Sequence, residues 1–452
     1  MFCRLNVPTI SCPRVASDSA TWLPTYEFAP VTRIFIHPRI EAFNMLTRRT
    51  KCRLCESEKL ELSVNLPLTT IADHYRAAGE KQMPLYPLDI YRCEACGHIQ
   101  LLDILPPAVL FDAEFTYMPS KNPALIEHFK MYADWVANHL GDHPASVCID
   151  IGSNDGLFLK TLKARFGSQT LGIDPAHAPA EHARSQGVET WEEFFSNDSV
   201  RRIKERFKKV DVISANNVFA HNDDLISFAT NVASLMHDGS VFSFEFSYLV
   251  DVVEKGLIGT VFHEHVSTHS LLSLIPFLNR CGLELIDIKR IDTQGGAAIG
   301  FAKLLSARPT ISESVSSLLL LERKLGLDTD RGIKTFRDRI MSDKIKVAEM
   351  LKPYVGEIVG GFGAARSANL LIDFFELGPL LNFIIDDSPQ KCGKWLNAYE
   401  VPILPNSSLV EKIPKVMVCL AWIHTEKITA RLKETLGQTV KVLQLYPEIK
   451  LV

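Results

Sequence analysis

Ser146-Val-Cys-Ile-Asp-Ile151 runs straight into Gly152-Ser-Asn-Asp-Gly156 and then into the apolar-periodic Leu157-Phe-Leu-Lys-Thr-Leu162. A short β-rich run, a glycine turn and a helix make the first unit of a doubly wound parallel sheet. Thr170-Leu-Gly-Ile-Asp174 reads as the second strand, and its terminal carboxylate falls about 20 residues past the turn, where such folds bind ribose hydroxyls. Gly152 and Gly156 let backbone come close to a ligand. Asp150 and Asp155 repel a pyrophosphate but suit the cationic amino-acid end of S-adenosylmethionine. The unit therefore favours a methyltransferase-type crevice, lined by Asp150, Gly152, Asn154, Asp155, Gly156 and Asp174, over a dinucleotide site. Val210–Ala215 is expected as the fourth strand, ending at Asn216, and Ser240–Glu245 as the fifth. His221 then falls near the crevice, since ligands bind beyond the carboxyl ends of such strands. Its alternative is a hydrogen-bonded structural histidine.

A second chemical signal is Val261-Phe-His-Glu-His-Val266. It is not HExxH, so its imidazoles lack the i, i+4 spacing of a helical zinc pair. An extended segment would put His263 and His265 on one face and Glu264 on the other. Two imidazoles beside a carboxylate suit general acid–base work. Leu283–Ile288 and Ala297–Ala302 are expected to form a hairpin joined by Thr293-Gln-Gly-Gly296. Upstream, Tyr117 and Ser120 sit in a loop before an amphipathic helix expected over 123–140, and by pattern alone that loop is a surface turn.

Cys52-Arg-Leu-Cys55 and Cys93-Glu-Ala-Cys96 are paired CxxC turns, and two such turns complete a tetrahedron around one zinc ion. A closed Cys₄ shell leaves no open position, so the expected zinc is structural. The other cysteines of the ten show no partner pattern. A second strand–glycine–helix unit begins at Glu357-Ile-Val-Gly-Gly-Phe-Gly-Ala-Ala-Arg366, followed by the Leu381–Ile385 strand and Asp386, and a further buried strand begins at Lys415.

The fold class that follows is α/β, with a small zinc-binding N-terminal domain, a central Rossmann-like methyltransferase domain and a second, C-terminal Rossmann-like domain. The expected division is an extension over 1–44, then 45–120, 121–308, a helical connector over 309–354, and 355–452. The proline-dotted first stretch lacks a sustained period, and Met45 is a candidate start. A net charge of −4 argues against nucleic acid as a partner. No run of eighteen apolar residues suggests a membrane span, and CxxC pairs without a secretion signal point to a cytoplasmic chain.

As an ordered set, the paired CxxC turns, IGSNDG, the Asn216–His221 segment, His-Glu-His, the double glycine, GFGAA and Leu420-Ala-Trp422 resemble a family. It is the S-adenosylmethionine-dependent C-methyltransferases that act on nucleotide-linked keto-deoxysugars, and the resemblance spans Cys52 to the C-terminus. It implies that His265 is the catalytic base, with Glu264, His221 and His263 alongside. It implies a substrate pocket drawn from Tyr117, Ser120, Phe262, Gly295, Gly296, Gly361, Gly363, Arg366 and Asp386. The implied partner is a small molecule, a nucleotide-linked sugar, bound by a monomer or homodimer. The family reads Tyr-His-Glu-His where this chain has Phe262. Its glycine turn is usually flanked by His and Arg, here Gln294 and Ile299. The alternatives are an O- or N-methyltransferase, a C-methyltransferase of a non-sugar acceptor, and a non-catalytic nucleotide-binding scaffold.

Overall fold

The computed structural model describes residues 46–110, 117–143, 145–437 and 439–452. The extension expected over 1–44 and the candidate start at Met45 lie outside the described residues. Among the described residues the strands form sheets of two, four, seven and six.

Val147–Ile151 is buried at every position, as expected of a parallel strand covered on both faces. It pairs in parallel with Gln169–Ile173 on one side and Val212–Asn216 on the other. Strand order therefore reverses between Val147–Ile151 and Val212–Asn216, and a crevice opens beyond their carboxyl ends. Val241–Ser247 continues the parallel set. The expected hairpin is present, as Leu283–Ile291 and Ala297–Leu304. Its second strand lies antiparallel between Val241–Ser247 and the first. Gly300 makes that neighbour possible, because a Cβ there would sit 2.7 Å from the Phe244 ring.

Alternation puts Phe242, Phe244 and Phe246 on one face, stacked in sequence at 4.9 and 5.7 Å. Truncating any of these fully buried rings would cost about 3–5 kcal/mol. The helix expected over 123–140 is present as Pro123–Leu140. Asn122 caps it by accepting from the Ala124 N–H, and Pro123 occupies the first turn, where its missing donor costs nothing. Its buried face carries Phe129, Tyr132, Val136 and Leu140.

The four-stranded sheet around the cysteines joins Leu60–Val64, Ile90–Cys93, Ile99–Leu101 and Ser267–Thr268. Its last strand comes from far down the chain, two residues after His265, with Ser267 opposite Gln100. The six-stranded sheet contains Val359–Phe362, Phe383–Ile385 and Val416–Cys419, all parallel. Helices Glu313–Lys324 and Arg331–Leu351 precede it. Glu322 of the first is fully buried. It accepts from the backbone N–H groups of Leu271 and Leu272 and from the Tyr248 hydroxyl, so it caps the Leu271–Arg280 helix with a full carboxylate.

Candidate active site

The four cysteines of the CxxC turns converge, with all Sγ atoms within 4.8 Å of one another. Cys52 and Cys96 are 3.6 Å apart, and Cys55 and Cys93 3.5 Å. Tetrahedral Zn–S bonds of about 2.3 Å put sulfurs about 3.8 Å apart, so the set fits zinc. The two turns match: Glu56 N–H donates to Cys52 O, and Gly97 N–H to Cys93 O.

At the switch point, Gly152 adopts φ +68° and a Cβ there would lie 2.1 Å from Val218, so only glycine fits the turn. Its N–H donates to Ile173 O at 2.7 Å. Asp174 accepts the N–H groups of Asn154 and Ala176. Asp155 accepts from Ser120 N–H at 2.8 Å, which ties the Ser120 loop to the crevice rather than leaving it a free surface turn. Asp150 accepts from Ser214 Oγ at 2.6 Å and from Asn216 Nδ2 at 3.4 Å. Burial pushes Asp150 up to about 7 and Asp174 up to about 6. A cationic ligand would restore both charged forms. Glu245, at the carboxyl end of its strand, is paired with His128 Nε2 at 2.6 Å. Neither was singled out by sequence, although an acid ending a buried strand is the same signal that marked Asp174.

The His-Glu-His segment is not extended. His265 N–H donates to Phe262 O and closes a turn, so His263 and His265 do not share a face. His263 turns inward, edge-on to Tyr86 at 5.9 Å, away from His221. His265 instead stacks on His221 with ring centroids 5.0 Å apart, and Phe262 lies 3.9 Å from it. His265 Nδ1 lies 2.8 Å from Thr260 O. A carbonyl only accepts, so Nδ1 carries the proton and Nε2 the lone pair. Burial holds His265 down at about 4 and His221 well below the usual imidazole range.

Glu264 bonds Arg366, whose guanidinium also reaches Asp73 at 2.9 Å and lies over the Phe262 ring. Lys391 joins Asp73 at 2.7 Å. Asp73 and Lys391 carry no sequence signal, because they meet Arg366 only through tertiary structure. Burial first, then Glu245, raises the Tyr117 phenol, and Arg366 opposes them. Tyr117 is 41% exposed and lies within electrostatic reach of Glu245 and Arg366.

The glycines of the expected substrate pocket are used in packing. Gly295 adopts φ +91° against Trp422, and a Cβ at Gly296 would overlap Asp251. Gly361 packs on Leu420 and Ile384, and Gly363 on Ala421. Around Gly363 the first crevice is repeated: its N–H donates to Ile385 O at 2.7 Å, and Asp386 accepts from Ala364 and Ser388.

A glycine turn at the switch point, a buried carboxylate at the end of the second strand and the inserted antiparallel last strand define a methyltransferase fold. Family models match three consecutive stretches: a zinc binding domain over 52–111, a methyltransferase domain over 126–288 and a C-methyltransferase C-terminal domain over 292–447. With that domain set, the chain is an S-adenosylmethionine-dependent C-methyltransferase with a structural zinc site. It is 28% identical over 410 residues to C-methyltransferase NovU of Streptomyces niveus, covering 89% of this chain and 96% of that one. Among solved structures, it is similar to an S-adenosylmethionine-dependent methyltransferase from Clostridium acetobutylicum, at 15% identity and a TM-score of 0.32, covering 40% of this chain and 92% of that one. It is also similar to the plantazolicin methyltransferase BpumL in complex with S-adenosylhomocysteine, at 12% identity and a TM-score of 0.33, covering 41% and 87%.

Proposed function

We propose that the chain methylates a carbon next to a ketone, through an enolate, on a nucleotide-linked keto-sugar. The observation that carries this reading is the Nδ1–Thr260 hydrogen bond of His265, which leaves the lone pair on Nε2 of a ring stacked against His221. His265 takes the proton from the acceptor carbon. With its pKa held near 4, the ring is neutral and ready to accept at any pH above about 5. The negative charge then develops on the ketone oxygen. His221 is the donor placed for it, since Phe262 has no hydroxyl to offer. Glu264 and Arg366 fix the turn from the other side. The bound cofactor supplies an electrophilic methyl group, and Asp150, Gly152, Asn154, Asp155, Gly156, Asp174 and Asn216 hold it.

On this reading Tyr117, Ser120 and Phe262 line the acceptor side, and Arg366 with the Gly361–Gly363 turn and Asp386 holds the nucleotide end. Gly295, packed on Trp422, and Gly296, packed on Asp251, border it. The proposed division follows 45–120, 121–308, 309–354 and 355–452, in a cytoplasmic monomer or homodimer. Phe262 packed on His265 also favours a second reading, in which the acceptor is a less polar keto compound than a sugar.

The test is His265→Asn beside His263→Asn, with a panel of nucleotide-linked keto-deoxysugars. General bases contribute about 10²–10⁴-fold, so His265→Asn should lose turnover by that order and stop solvent-deuterium exchange at the acceptor carbon. His263→Asn should alter stability and leave exchange intact. Full turnover in His265→Asn would end the assignment.

A further inference from the structure

His265 owes its proton position to one carbonyl, and that carbonyl belongs to a short turn held from the far end of the chain. Thr260 closes the 3₁₀ turn Ile258–Thr260. Its own Oγ1 is spent on Leu257 O at 2.8 Å. The middle residue, Gly259, donates its N–H to the Tyr446 hydroxyl at 3.2 Å, across 187 residues of sequence. Trp422 covers the same residue: a Cβ at Gly259 would lie 2.7 Å from Trp422 Nε1. The indole N–H is fixed in turn by Ser367 Oγ at 3.1 Å, next to Arg366. Its far edge fills the space over Gly295. Tyr446 and Trp422 pack together at 4.8 Å.

We propose that Trp422 and Tyr446 are positioning residues for the base: the aromatic pair clamps Gly259 so that the Thr260 carbonyl holds His265 in its Nδ1–H tautomer. The inference rests on the reading of His265 as the base, but its geometry stands without it. Neither aromatic touches the imidazole. Their effect passes through three bonded steps, from Tyr446 Oη to Gly259, from Gly259 to Thr260 along the backbone, and from Thr260 O to Nδ1. A neutral imidazole has one N–H, and only this tautomer leaves Nε2 free to take a proton. Two aromatics of the C-terminal region, neither in contact with the imidazole, therefore set which nitrogen of His265 does the chemistry. The arrangement also explains why glycine stands at 259 and 295. Both positions admit the indole, and a side chain at either would push it off the turn.

The clamp is tested on the full-length zinc-loaded protein labelled with ¹⁵N-histidine. Imidazole ¹⁵N shifts distinguish the two tautomers, and His265→Gln assigns the signal. Wild type should show the Nδ1–H form near pH 7. Tyr446→Phe, which removes the acceptor for Gly259, and Trp422→Phe should each shift His265 toward a mixture of tautomers. Calorimetric affinity for S-adenosylhomocysteine should stay unchanged in both. With a turned-over acceptor, kcat should fall about tenfold at constant KM, within the roughly hundredfold that a 1 Å misplacement costs. An Nε2–H signal in the wild type would overturn the proposal outright. Tautomer populations in both variants equal to wild type would overturn it as well. The base assignment fails separately, if His265→Gln keeps turnover while the tautomer still responds to Tyr446→Phe.

Discussion

Arg53, lodged between the zinc-binding Cys52 and Cys55, donates its Nε to Asp223 Oδ1 at 3.0 Å, two residues past His221. The guanidinium is fully buried and also bonds Leu101 O and Gln100. The cysteine module thus reaches the His221 loop directly. Asp223→Ala should destabilise the protein by about 1–3 kcal/mol, less than the loss of a fully buried pair, because Asp223 is half exposed. Chemical denaturation measures it. An unchanged midpoint would show that the loop does not lean on Arg53.

Metal analysis should find one zinc per chain. Cys55→Ser should unfold more than the N-terminal sheet, since Ser267–Thr268, just after His265, pairs with Ile99–Leu101. Structural zinc binding is worth about 10–16 kcal/mol in isolated finger peptides, and that energy is folding energy. Chelation should therefore lower the melting temperature and S-adenosylhomocysteine affinity together. Chelated protein that binds the ligand normally would separate the two modules.

Gly152→Ala should suffice to damage the cofactor crevice. The new Cβ meets Val218 at 2.1 Å, on a backbone at φ +68°, a conformation costing a non-glycine residue about 1–2 kcal/mol before the clash. Calorimetric affinity for S-adenosylmethionine should drop sharply while far-UV circular dichroism stays native. Normal affinity would mean the turn has been misread.

Affinity for the cationic cofactor should depend on pH. Burial raises Asp150 to about 7 and Asp174 to about 6, so both are substantially protonated at pH 5.5. A cation favours their ionised forms, so binding releases protons there. Affinity should rise between pH 5.5 and 8, by at most about tenfold per pH unit for each group titrating. A flat titration over that range would remove these carboxylates from the site.

Local pattern carried much of this architecture. The helix at Pro123–Leu140 announced itself by its apolar stripe, and both glycine turns by the acid-tipped strands that follow them. The matched CxxC pairs identified the metal ligands. Val261–Val266 carries neither a strand's alternation nor a glycine or proline to mark a turn. The bond from His265 N–H to Phe262 O that bends it leaves no mark in composition. Glu245 could have been singled out, since the expected strand Ser240–Glu245 ends on an acid, whereas His128 on its helix gave no such signal. Asp73 and Lys391 could not, because their meaning comes from Arg366, which lies 293 residues beyond Asp73.

The Arg366 guanidinium joins Asp73, from the loop after the cysteine sheet's first strand, to Glu264, beside the seven-stranded sheet, while its own backbone follows the first strand of the third. Three sheets that pack into one continuous core thus also share one ion. None can present a finished pocket alone, so activity should vanish early in a denaturant titration, before helical content falls. Catalytic competence becomes a report on complete assembly, and a chain trapped with two parts folded would be compact, well structured and inert.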